Sequence, residues 1–344
     1  MVAGYFSFSE WPNHGLLVHG GLQSPSARQP QSDLRLLSVK TQFKEPTVLD
    51  QRGPALSHHA SCLVKNVDKE DVLILIGGWN GHSRTSKVYA YHLVKKVWIN
   101  LAENPQGPHR VDPPIGLSGH TVTKIHSGLV VVIGREGGIK TQRKFGQMFL
   151  LHLNLKDRLY WYTESPLMPA SRSGHTASLA PPRPPSGNTC DFLVFGGRDI
   201  DHVFKCGKWT TELVEDIPQS FPRVLENIGK LPQKVFPRMM GLRYHAMLVL
   251  APDCLLIHGG RHFKAMNGKD VNGQFFLGRL ENDDQENWCK LQPSFVAPRF
   301  GHALMLHKKC IYIIGGFKSD ADQNTAEVEK FPISDDDAEQ CRRR

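Results

Sequence analysis

Six times along this chain a short apolar run ends on glycine, and that repetition limits the fold more than any other feature. Five copies are Leu16-Leu17-Val18-His19-Gly20-Gly21, Leu73-Ile74-Leu75-Ile76-Gly77-Gly78, Phe192-Leu193-Val194-Phe195-Gly196-Gly197, Leu255-Leu256-Ile257-His258-Gly259-Gly260 and Ile311-Tyr312-Ile313-Ile314-Gly315-Gly316. The remaining copy, Val130-Val131-Val132-Ile133-Gly134, has Arg135 in place of the second glycine. Self-similarity at a nearly fixed period of this size marks a repeat architecture.

Two further markers travel with the glycines. Upstream stand Ser57-His58-His59, Ser118-Gly119-His120, Arg172-Ser173-Gly174-His175, Arg243-Tyr244-His245 and Arg299-Phe300-Gly301-His302. Downstream, alternating apolar residues lead to Trp98, Trp161 and Trp288. Each unit therefore reads as four short strands joined by turns, the second apolar at nearly every position and so buried on both faces. Such sheets, repeated without intervening helices, predict an all-β propeller of six four-stranded antiparallel blades. The glycine pair ends the second strand where the chain must pass close to the adjacent blade and a side chain would clash.

Repeat-equivalent placement also explains most residues that could be mistaken for a site. His59, His120, His175, His245 and His302 fall in five different blades, too far apart to share one ion, and are expected to make structural hydrogen bonds. The three tryptophans are expected to pack between blades. No metal or cofactor site is expected.

The glycine pair, the R-x-G-H upstream and the Trp downstream resemble kelch repeats over essentially the whole chain. The segment Gly134-Arg135-Glu136-Gly137-Gly138-Ile139-Lys140-Thr141-Gln142-Arg143-Lys144-Phe145-Gly146 resembles one subfamily in particular, together with Gly77-Gly78-Trp79-Asn80-Gly81 and Arg172-Ser173-Gly174-His175. The resemblance implies a kelch propeller acting as a protein-protein interaction module, scaffold or adaptor. The subfamily implies a cyclin A-type, cell-cycle partner. It also implies that Arg172, Arg243 and Arg299 sit at the rim of the central channel and engage acidic groups of a bound peptide. A guanidinium suits that task because it offers a rigid bidentate fork.

The propeller is expected to span residues 1–334, with a charged tail at 335–344. The first unit has no R-x-G-H and the last has no Trp. The ring-closing strand is therefore expected from Val2 to Phe8, from Glu329 to Ile333, or not at all. Phe221, Val224, Leu225, Ile228 and Leu231 recur at three and four, which predicts one short helical insertion near 220–231. Arg135, Lys140, Arg143 and Lys144 form a second candidate partner surface, a basic patch on a loop.

Composition sets the remaining expectations. The net charge of +9 is spread along the chain instead of forming one basic footprint, so nucleic acid is not the expected partner. A basic surface binding phosphoprotein or nucleic acid is the alternative. A metal-dependent kelch enzyme is a further class, but its E-x-x-x-D-x-x-x-H pattern fails: Glu212 and Asp216 are followed by Ser220. Hydrolase and nucleotide-binding motifs are also missing, so the chain is expected not to be an enzyme. Seven cysteines without C-x-x-C point to reduced thiols and an intracellular protein, cytoplasmic or nuclear. No apolar run is long enough to span a bilayer, no signal peptide is visible, and a monomer is expected.

Overall fold

The computed structural model describes residues 4–134, 148–165, 172–179, 189–197, 203–210, 242–251, 254–262, 271, 273–279, 287–291, 297–308, 310–318 and 328–332. Among them the chain forms six sheets of three to five strands, laid down in chain order apart from one short edge strand. The first comprises Ser7–Trp11, Gly15–His19, Leu34–Ser38 and Pro46–Asp50. The second comprises Ala60–Lys65, Asp71–Trp79, Arg84–His92 and Val97–Ile99. The third runs Thr121–His126, Leu129–Ile133, Met148–Asn154 and Leu159–Glu164, with Ala102–Glu103 added in parallel at its outer edge.

The fourth sheet is Thr176–Leu179, Thr189–Phe195 and Val203–Thr210. The fifth is Ala246–Ala251, Cys254–His258, Phe275–Arg279 and Asn287–Leu291. The sixth is Ala303–His307, Cys310–Ile314 and Val328–Pro332. The only helical element among the described residues is the 3-10 turn Val39–Thr41. No helix among them is long and apolar enough to cross a membrane.

The apolar runs account for the packing. Successive side chains of a strand point to opposite faces, so each second strand serves two neighbours. Leu17 meets Leu73 and Leu75 of the second sheet. Ile74 and Ile76 meet Val130 and Val132. Val131 and Ile133 meet Phe192 and Val194. Leu193 and Phe195 meet Leu255 and Ile257. Leu256 meets Ile311 and Ile313. Tyr312 and Ile314 return to Leu16 and Val18 of the first sheet. One apolar cluster fills each joint, and the series closes on itself as a β-propeller. Each fully buried aliphatic side chain contributes about 1.5–3 kcal/mol. Cys62 joins the cluster between the second and third sheets, and burial pushes its thiol up to about 12.

The glycine pairs lie where the sequence places them. A Cβ on Gly259 would stand 2.3 Å from the Arg299 carbonyl oxygen of the next sheet, and one on Gly260 would stand 2.8 Å from Cβ of His245 in its own. The tryptophans sit on outer strands. Trp98 donates through Nε1 to Asp50 of the first sheet at 3.1 Å, and its ring covers Gly53. Trp161 covers Gly107 in the same way. Trp288 lies in the outermost described strand of the fifth sheet.

Among the described residues no strand is exchanged between the two ends of the ring. Ser7 and Phe8 begin the innermost strand of the first sheet, and Val328–Pro332 is the third strand of the sixth. The predicted helix at 220–231, the basic segment Arg135–Lys144 and the tail at 335–344 lie outside the described residues.

Candidate functional site at the channel mouth

The first strands of the six sheets surround a central channel. At one end the backbone forms a cycle. The amide of Tyr5 donates to the carbonyl of Gly301, Gly301 to Tyr244, Tyr244 to Gly174, Gly174 to Gly119, Gly119 to His58, and His58 back to Tyr5. The six distances run from 2.7 to 3.1 Å. All six residues are left-handed, with φ between 54° and 64°. Glycine adopts that conformation without strain, whereas a side chain there costs about 1–2 kcal/mol.

Three positions nevertheless carry aromatic side chains. Tyr5 stacks on His58 at 4.0 Å between ring centroids, and Tyr244 meets Tyr5 edge-on at 4.9 Å. Beside this cluster the Arg243 guanidinium lies over the Tyr244 ring at 5.4 Å, and Arg261 over Phe300 at 4.6 Å. Arg243 and Arg261 are directly paired across a two-stranded ribbon.

The histidine column fills the joints just beyond the cycle. Each of these rings is buried, and four of the five have a hydrogen-bonding side chain from the preceding sheet. His59 Nε2 lies 2.7 Å from Ser7 Oγ and 2.9 Å from His19 Nδ1. His175 pairs with Thr121 and His245 with Thr176, both at 2.8 Å, and His302 with His258 at 3.0 Å. No side chain bonds either ring nitrogen of His120, whose polar support comes from the backbone of Ile76. Burial drives all five below the usual imidazole range: His245 to about 3 and His120 to about 4. Neighbouring positive charge adds to the effect at His175 and His302.

The arginines divide. Arg172 and Arg299 are buried, and each donates to the first glycine carbonyl of its own sheet, Gly196 at 3.3 Å and Gly315 at 3.0 Å. Arg299 also pairs with Glu329. Their guanidiniums brace blade backbone instead of standing at the rim, which departs from the expectation drawn for them. Arg243, one residue closer to its histidine, is half-buried beside the aromatic cluster. Arg135, Lys140, Arg143 and Lys144 lie outside the described residues. Arg261, Tyr5 and His58 went unassigned in the sequence as candidates for the rim.

Comparison with known proteins agrees with this geometry. A model of the Kelch motif matches residues 70–105, which contain most of the second sheet. Kelch domain-containing protein 9 of Mus musculus is 30% identical over 330 residues, covering 93% of this chain and 89% of the relative. The Homo sapiens protein of that name is 31% identical over the same shares. The chain belongs to the kelch domain-containing protein 9 family. Like other kelch-repeat proteins, members of this family are read as protein-interaction modules.

A solved structure of YjhT shares the fold, with a TM-score of 0.60 over 96% of this chain and 95% of that one, at 14% identity. This likeness overturns one expectation. The missing motifs led to a chain that is not an enzyme, but a propeller shared so widely across sequence carries no fixed chemistry. The non-enzyme assignment does not stand.

Proposed function

We propose that this kelch protein grips an acidic segment of a partner protein at the end of the channel closed by the backbone cycle. The observation that carries the reading is the aromatic trio Tyr5, His58 and Tyr244, held in a backbone conformation that glycine occupies at the other three positions. Tyr5 is buried among Leu22, Phe300 and Phe317, while His58 and Tyr244 are half-buried. Strain kept at the channel end points to use, since glycine would relieve it. Arg243 and Arg261 beside the trio supply forked donors for carboxylates, and aromatic and arginine side chains are the usual anchors of interfaces. A cyclin A-type protein is the partner to test first.

The experiment is affinity measurement with the full chain and two variants. Arg243→Glu/Arg261→Glu is expected to weaken capture at least tenfold. Tyr244→Gly removes strain, so it should keep the unfolding midpoint within a few degrees while also losing affinity. Unchanged binding in both folded variants would refute the assignment of this face.

A further inference from the structure

Inside the backbone cycle the channel widens into a chamber of about 340 Å3. Its wall is formed by the start of each innermost strand, including Phe8, Val122, Ala177 and Met247. Among the described residues no aspartate, glutamate, lysine or arginine lines it. We propose that this chamber binds one small neutral molecule of one or two rings.

The size falls at the lower end of ordinary ligand pockets, which are mostly apolar with a few placed polar groups. Charge selects against ions. An ion entering the chamber would give up its hydration and meet no counter-charge. The histidines along the wall are held neutral by burial, so they do not supply one. The wall's other polar groups are largely occupied with one another: Ser7 with His59, Thr121 with His175, Thr176 with His245, Ser61 with Ser9.

His120 presents no polar group to the chamber: both its ring nitrogens are enclosed, and the backbone of Ile76 supports the ring. Phe8, 40% exposed, and Ser61 line both the chamber and a second cavity of about 570 Å3 near Trp11 and Lys124. Entry is therefore from the end opposite the partner face, whose Tyr5, His58 and Tyr244 also line the chamber while Arg243 and Arg261 do not.

The test uses the full chain and 2-naphthol, a neutral two-ring molecule with one hydroxyl, against 2-naphthoate, which has the same rings and one negative charge. Saturable 2-naphthol binding is expected by calorimetry, with 2-naphthoate at least tenfold weaker. Ala177→Phe, which adds a ring to the wall, should abolish binding, and Ser61→Phe does the same from the second sheet should the first variant misfold. Arg243→Glu/Arg261→Glu should leave this binding untouched, which separates the chamber from the partner face. Equal binding of both probes to the unaltered protein, undiminished binding in a folded chamber-filling variant, or no saturable 2-naphthol binding would each overturn the proposal.

Discussion

The joint between the third and fourth sheets and the joint that closes the ring do the same work with different chemistry. In the first, His175 enters a slot edged by Thr121 and bonds its hydroxyl at 2.8 Å. In the second, the equivalent residue is Phe6, which packs with Ala303 and Ile314. Both joints keep the same backbone link in the cycle. The slot thus requires a flat ring of suitable size, and a histidine only where the preceding sheet supplies a polar partner. His120 lies between these cases, a histidine facing Ala60 and Ile76.

The largest effect should come from acid. Folding lowers the proton affinity of His19, His245 and His258 to about 3 and of His120 to about 4. The unfolded chain, with imidazoles near 6.5, therefore binds more protons at intermediate pH. The stability these rings contribute is complete above about pH 6.5 and is lost as pH falls toward the folded values. The thermal unfolding midpoint should drop by about 10 °C or more between pH 7 and pH 5, above the range where most carboxylates titrate. A flat profile would show that the histidine joints are no more acid-sensitive than the phenylalanine joint.

A smaller effect separates the joints individually. His175→Phe leaves the Thr121 hydroxyl without its ring partner and should cost about 1–3 kcal/mol in denaturant unfolding. Phe6→His buries an imidazole against Ala303 and Ile314 and should cost a similar amount. His120→Phe, in a slot already apolar, should cost less than either. Equal losses at all three would mean that the polar edge of the slot decides nothing.

The smallest effect is a gain. Ala60→Ser places a hydroxyl where Ser7 stands at the neighbouring joint, within reach of His120. It should stabilise the protein by about 0.5–1.5 kcal/mol. A loss of stability would show that the ring is already satisfied.

Much of this fold is legible in the sequence because it repeats. Glycine pairs, histidines and tryptophans report the same backbone position unit after unit, and their agreement locates the strands. The first unit hid its marker because Phe6 shares no chemistry with histidine, although it precedes Gly20 by the same 14 residues that separate His120 from Gly134.

The arginines misled for a related reason. The position three before the histidine is Leu56, Leu117 and Leu242 in the other units, all buried, and that column of leucines marks an interior site. Arg172 and Arg299 occupy it and turn inward. The aromatic trio was harder to see, since nothing in Tyr5, His58 or Tyr244 announces a left-handed backbone. That property arises only when all six sheets meet.

The backbone cycle has a handedness of its own. Every amide in it points the same way around the axis, so each member answers the one behind and is answered by the one ahead. Deleting any member would orphan a donor on one side and an acceptor on the other, while an extra one would find no opening. The architecture in this way counts its own modules, and tandem duplication or loss of a single repeat should yield a chain that cannot complete its circle.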